Sequence, residues 1–357
     1  MSTDPMRTLA SDIERAASPA LAACHRLTLP AQQPPWTRTG IHLDSGQSYT
    51  LLAAGRVLWS ARHPHLYGGP GFHLWARISP GGRIVNLTRD SGSFSADCSG
   101  ELELGIYLGM WLDACGGLAT PASAYQRLSG ELEVLVLVWR GNSLPGLEDL
   151  HTRCDATQLA VEIARLRQPV RLPPDWHYLL ETGSSDIYRD CSHDGQARIC
   201  LHASDDQGIV RKAVDFPLTP ATRLSWRWRV DEHPSRVAED SHLTHDYISI
   251  ATEFDNGRDL TWIWSSTLPV ESWFDCPVKA WSTRETHYVV RSGLNDAARW
   301  CEQQRAVYSD VQRAMGAPPT RIVAVWLICV ASFQHGTARA SFESIELDDG
   351  VDRLRVL

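Results

Sequence analysis

A mainly all-β chain of two β-sandwich domains is what this sequence predicts, and three observations carry the prediction. Short runs alternate apolar and polar residues along most of the chain, as in Leu224-Ser-Trp-Arg-Trp-Arg-Val230. That is the period of strands with one face in a core. Turns rich in glycine and proline, such as Tyr67-Gly-Gly-Pro-Gly71 and Pro80-Gly-Gly82, separate the runs, which is the rhythm of a sandwich or barrel. With 357 residues, 43% of them hydrophobic and 21% charged, the chain is long for one core and suits two globular domains.

Taken in order, residues 1–30 read as an N-terminal helical segment, with Asp12 to Leu27 patterned as a short amphipathic helix. Residues 31–141 form the first sandwich, its strands falling at 48–53, 56–60, 72–78, 102–108 and 131–139. Asn142 to Gly146 breaks the pattern, and Glu148 to Arg167 follows as a linker helix within 142–170, ended by Pro169 and Pro173-Pro174. Residues 171–357 form the second sandwich. Asp246 to Phe254, Thr261 to Ser266 and Thr286 to Ser292 read as strands. Asp296 to Met315 is expected as an inserted helix, with Trp300, Val307 and Val311 as its core stripe and Gly316 and Pro318-Pro319 as its stop. Val323 to Val330 is the most apolar stretch and suits a central strand covered on both faces. Ala340 to Leu347 closes the sheet.

Composition removes several function classes. A net charge of -8 without a basic patch argues against a nucleic-acid partner. No apolar run reaches the length of a membrane span. Met1 to Arg26 lacks a basic start and a continuous apolar stretch, so a secretory signal is not expected and a cytoplasmic location is. Nine cysteines, without a C-x-x-C spacing, are then expected as reduced thiols, with a disulfide between Cys191 and Cys200, which could flank a hairpin, as the less favoured alternative. His63-Pro-His65 and His242-Leu-Thr-His245 come closest to a zinc spacing but lack partners, so neither metal nor cofactor is expected. Fourteen tryptophans suit thick cores or an aromatic-lined cleft. Trp111, Trp139, Trp176, Trp226, Trp228 and Trp326 are assigned to packing.

The chain has no G-x-S-x-G elbow, no P-loop and no dinucleotide-binding glycine motif. A sandwich glycosidase wants two acids close together on one inward strand. Glu253 and Asp255 have the parity, but Asp255-Asn-Gly257 reads as a turn, while Glu271 and Asp275 read as loop. What remains is a metal-free acid–base site. Its catalytic candidates are His245, Asp246, Tyr247 and Glu253 on one strand and His287 on another. Arg227, Arg229, Arg291, Trp262 and Trp264 are the substrate-binding candidates. If strands 224–230, 246–254 and 286–292 are neighbours, Arg227, Tyr247, Glu253 and His287 converge, with Trp262 or Trp264 as a wall. The plainer alternatives are an Arg227–Glu253 ion pair and a satisfied His287. Cys329 reads as core, and Glu302, Arg305 and Asp310 as surface pairs on a helix.

Four segments give the C-terminal half a resemblance. They are His202-Ala-Ser-Asp-Asp-Gln-Gly-Ile-Val-Arg211 leading into Phe216-Pro-Leu218, the Leu224–Val230 strand followed by His245-Asp-Tyr247, Trp262-Ile-Trp-Ser-Ser266, and Trp300-x-Glu-x-x-Arg-x-Val-Tyr-x-Asp310. Together they resemble an uncharacterised bacterial family, a domain of unknown function, and imply a jelly-roll-like sandwich. Members of that family commonly look exported, from which this chain departs. Pro35-Trp36-x-x-Thr39-Gly-Ile41, Gly46, Ala53-Ala-Gly55 and Gly100-Glu-Leu-Glu-Leu104 make the N-terminal half resemble galactose-binding, lectin-like sandwich modules. Calcium-dependent lectins of that kind carry an Asn-Asp pair where this chain reads Ile106-Tyr-Leu-Gly109 and then inserts Met110 to Gln126. The expected function is a cofactor-free acid–base enzyme (lyase, isomerase, cyclase or hydrolase). Its substrate would be an aromatic, terpenoid-like or glycosidic small molecule in a Trp-lined cleft. The alternatives are a pair of non-catalytic carbohydrate-binding modules and a structural assembly protein. The partner is a small-molecule or carbohydrate ligand, and a homodimer is admitted.

Overall fold

The structure, a computed structural model, describes residues 5–33, 35–108, 111–179, 182–241, 245–279 and 281–357. Gly109, Met110 and His242, named above, lie outside them. The chain folds into two units, Met1–Pro169 with Leu180–Ser185, and Val170–Leu179 with Asp186–Leu357. Strands dominate both.

The first unit holds a five-stranded and a four-stranded sheet. In the larger, Ser129–Trp139 pairs with Leu21–Pro30 on one side and Ser48–Leu58 on the other. Gly100–Ile106 lies between Trp36–Leu43 and Leu74–Ser79 in the smaller. Leu51, Val57, Leu74, Leu102, Leu104, Val134 and Val136 fill the space between them. Leu52, Leu135, Leu137 and Trp139 face the other way and are covered by helices Pro5–Ala16, Ser143–Arg153 and Thr157–Arg167. Burial on both faces explains why 129–139 loses its alternation after Glu133.

Two expectations are corrected here. The N-terminal helix ends at Ala16, before Ser18-Pro19, and Leu21–Pro30 is a strand. A residue before proline disfavours helical backbone, and Leu27 and Leu29 alternate as a strand requires. The expected linker helix is two helices broken at 154–156. The break lets Leu147 and Leu150 of one, and Leu159 and Ile163 of the other, reach the same sheet face.

The second unit is a sandwich of a seven-stranded and a six-stranded sheet. The seven run in the order Trp176–Tyr178, Gln207–Pro217, Arg321–Val330, Ser249–Phe254, Asp259–Ser265, Glu285–Ser292, Trp273–Asp275. Every pairing in it is antiparallel except Asp259–Ser265 with Glu285–Ser292. The six-stranded sheet has Arg223–Glu232 between Thr337–Asp348 and Cys301–Ala306. Trp226, Trp228, Trp262 and Trp264 meet between the sheets, with Trp228 5.5 Å from Trp226 and 5.4 Å from Trp264. Central strand Arg321–Val330 puts Val325, Leu327 and Cys329 into that core. Its Ala324, Trp326, Ile328 and Val330 face outward into a second buried layer.

Two more expectations change. Residues 301–306 of the expected long helix form a strand, and only Val307–Ala314 is helical. Pairing of Cys301–Ala306 with the 223–232 strand outranks local helix preference. Cys191 and Cys200 form a disulfide, with Cα atoms 5.9 Å apart, because 188–190 and 198–204 are paired strands. The expectation of reduced thiols fails at that pair.

Candidate functional site

Side chains of a strand alternate between faces, so register decides what gathers on the outer face of the seven-stranded sheet. Glu253 stands opposite Asp259, and Asp259 beside Glu285, so three carboxylates form a row on three adjacent strands. One pleat further along, the register aligns Arg211, Trp326, Ala251, Thr261, His287 and Phe274. The small side chains of Ala251, Ala324 and Thr261 leave room for the long ones between them.

The carboxylates have unlike surroundings. Glu253 accepts a hydrogen bond from Arg211 Nε at 2.9 Å and keeps 16% of its side chain exposed. Asp259 is 0% exposed, and its Oδ2 has no hydrogen-bond partner among the described residues. Arg284 lies 3.9 Å from Glu253 and 3.7 Å from Asp259. Its guanidinium sits 4.8 Å from the centre of the Trp281 ring and 5.3 Å from that of Trp326, a cation–π arrangement that fixes it over the row. The Thr261 hydroxyl lies 3.2 Å from Asp259 Oδ1 and 3.4 Å from Glu285 Oε1.

One pleat along from the row sits a buried His287–Asp246 pair. His287 Nε2 and Asp246 Oδ1 are 2.8 Å apart, and Phe274 stacks on the imidazole at 4.9 Å. Asp246 lies in the left-handed backbone region (φ 59°), which Asp tolerates better than most residues. Burial raises the Asp259 carboxyl well above its usual range, and neighbouring Glu285 adds to that. Glu285 is raised too, by burial and then by Asp246. For His287 burial acts downward, but Asp246 and Glu285 outweigh it and the net shift is up. Asp246 moves down because His287 overcomes the upward effect of burial.

Of the sequence candidates, the fold gathers Glu253, Asp246, His287 and His245 on this face, with the His245 ring 6.1 Å from that of His287. The others are elsewhere. Tyr247 is buried against His233, 5.2 Å between rings, because the Asp246 backbone breaks the parity before the strand begins at Ser249. Arg227 lies in the six-stranded sheet and pairs with Glu343 at 2.6 Å, not with Glu253, since its strand neighbours 337–348 and 301–306. Arg229 bonds Asp231 at 2.7 Å, and Arg291 bonds Asp296. Trp262 and Trp264 are core, donating their indole N–H groups to Asp310 at 3.0 Å and the Gly293 carbonyl at 2.9 Å. They wall no cleft here.

Residue-level reasoning missed Arg211, Asp259, Arg284, Glu285 and Cys276. Asp259 had a signal: a hairpin turn at Asp255-Asn-Gly257 puts it opposite Glu253. The Trp300 to Asp310 motif is not a helix surface pair. Arg305 bonds Asp310 at 2.7 Å and Glu271 at 2.6 Å, tying strand 301–306 to helix 307–314.

Residues 176–346 match the model of a family described as "Protein of unknown function (DUF3047)". That match spans most of the second unit, the one that carries the carboxylate row. No curated protein matches the chain. Among solved structures, one described as "EclA N-terminal domain; PllA-like lectin" is 20% identical over 32% of this chain and 94% of its own, with a TM-score of 0.25. The xyloglucanase domain of NopAA, a type three effector from Sinorhizobium fredii, is 10% identical over 50% of this chain and 99% of its own (TM-score 0.30). Carbohydrate-binding modules from the β-sandwich superfamily are 8% identical over 92% and 100% (TM-score 0.22).

Proposed function

We propose that the second unit is a hydrolase that breaks a glycosidic or similar C–O bond, with Glu253 and Asp259 as its two working carboxylates. One observation carries this reading. Register sets the two acids directly opposite each other, one ion-paired and 16% exposed, the other fully buried and without a hydrogen bond at Oδ2 among the described residues. Unlike environments are what divide a carboxyl pair into acid and nucleophile. Side chains opposite across an antiparallel pair have Cβ atoms about 4.5–5.5 Å apart, so both can address one bond. Asp259 gives a proton to the departing oxygen. At this close spacing the Glu253 carboxylate attacks the carbon as the C–O bond breaks. Water then displaces Glu253 from the resulting ester while Asp259, now ionised, takes the water's proton.

The lining favours a polyhydroxyl substrate over a terpenoid. Against a hydrocarbon the Arg211–Glu253 pair, Arg284 and Asp259 would lose water without gaining a partner, whereas sugar hydroxyls can bond them. Half-buried Trp281 supplies a flat apolar surface for a sugar ring. The experiment is turnover of a panel of nitrophenyl glycosides by wild type and Glu253→Gln. The variant is expected to lose about 100-fold or more in kcat, because an amide cannot replace the carboxylate nucleophile. Full activity in the variant overturns the assignment. A second reading, ligand binding without turnover, draws on Trp273, which is 45% exposed and stacked on Tyr288 at 6.0 Å. It gains if the panel binds but is never cleaved.

A further inference from the structure

We propose that Cys276, Glu285 and His287 form a binding site for a divalent transition metal of zinc type, at the Glu285 end of the carboxylate row. A sulfur, a carboxylate oxygen and a ring nitrogen from these residues all lie within 4.8 Å of one another, and all three residues are buried. The backbone builds this cluster locally. Glu285 and His287 alternate on one face of their strand, and the Cys276 N–H bonds the Glu285 carbonyl at 3.0 Å, which sets the thiol beside the carboxylate.

Two independent features point to a cation. The first is the His287 ring. Its Nε2 lies 2.8 Å from Asp246 and 3.6 Å from Glu285, while Nδ1 is buried with no hydrogen-bond partner among the described residues. A carboxylate holding one nitrogen of a metal-binding histidine is the usual outer support of such sites. The second is charge. Asp246, Asp259 and Glu285 are all buried around that one imidazole, and Cys276 adds an ionisable thiol. His287 faces Asp246, and Arg284 lies 3.7 Å from Asp259; a divalent ion would add to that partial compensation.

The donor set selects the metal. Thiolate, imidazole and carboxylate together suit zinc or cobalt, whereas magnesium and calcium take oxygen ligands. Three protein ligands leave a fourth position open, as in catalytic rather than structural zinc sites. The inference goes beyond the hydrolase reading and uses neither carboxylate of its working pair as a ligand.

Cobalt(II) titration of metal-stripped full-length protein tests it, followed by near-ultraviolet and visible absorption. One cobalt per chain is expected, with a thiolate-to-cobalt charge-transfer band that vanishes in Cys276→Ala and persists in Cys115→Ala, the exposed thiol. Asp246→Asn is expected to weaken binding by about 10- to 100-fold, the usual effect of losing an outer partner. Circular dichroism melts of the variants establish that each is folded. A wild type that takes up no cobalt overturns the site, as does a band that survives Cys276→Ala in folded protein. Glu253→Gln should leave the spectrum unchanged. Cobalt binding by a wild type that turns over none of the glycosides would therefore count against the hydrolase reading alone.

Discussion

At the scale of single residues, His73 in the first unit shows how burial fixes a protonation state. Trp59 donates its indole N–H to His73 Nε2 at 2.9 Å, and His73 Nδ1 lies 2.6 Å from the Tyr107 carbonyl. Those partners need a neutral ring with its proton on Nδ1, and full burial lowers its pKa to about 4. In the unfolded chain the ring titrates near 6.5, so between these values the unfolded state binds the extra proton. The stabilisation is therefore complete above the unfolded pKa and is lost as pH falls towards the folded one, about 3 kcal/mol in all. Urea unfolding at pH 7.5 and pH 4.5 should show that loss, and His73→Gln should flatten the dependence in that window. An unchanged slope in the variant would place the sensitivity elsewhere. Glu253 shows the limit of reading one strand. Its outward parity was legible from Ser249, Ala251 and Glu253, but its ionic partner was not. Arg211 lies two strands away across Trp326, a pairing that only the folded register creates.

At the scale of elements, local patterns were legible and long-range order was not. The alternation in 224–230 and 286–292 marked real strands, that in 246–254 a strand over Ser249–Phe254 only, and the 323–330 run marked a real central one. Nothing in those runs says which sheet each joins. Arg227, on a strand as regular as its neighbours, went to the opposite sheet and took the predicted convergence with it. The metal cluster escaped notice for a related reason. Cys276, Glu285 and His287 follow no Cys/His spacing, because the fold closes the 276–285 loop and sets the thiol beside the strand. The pairing of 188–190 with 198–204 likewise makes the Cys191–Cys200 bridge, which leaves seven free cysteines of nine. A thiol count in denaturant should give seven groups before reduction and nine after it. Nine in both would mean that the hairpin closes without its bridge.

For the whole molecule, composition was a fair guide to class and a poor one to the site. The tryptophan surplus proved to be packing in the second sandwich for Trp226, Trp228, Trp262, Trp264 and Trp326, so an aromatic surface for a ligand would rest on half-buried Trp281. The acidic balance is partly concentrated, since Asp246, Glu253, Asp259 and Glu285 share one sheet face. That face is the centre of the functional account, and the role of Asp259 as its acid is the most exposed claim. Leaving-group dependence in Asp259→Asn tests it directly. A general acid matters most when the departing oxygen is a poor leaving group. The variant should lose about 100-fold or more in kcat/KM on an alkyl glycoside while losing less than about tenfold on the matching nitrophenyl glycoside. Equal losses on both substrates, or none on either, would contradict the account.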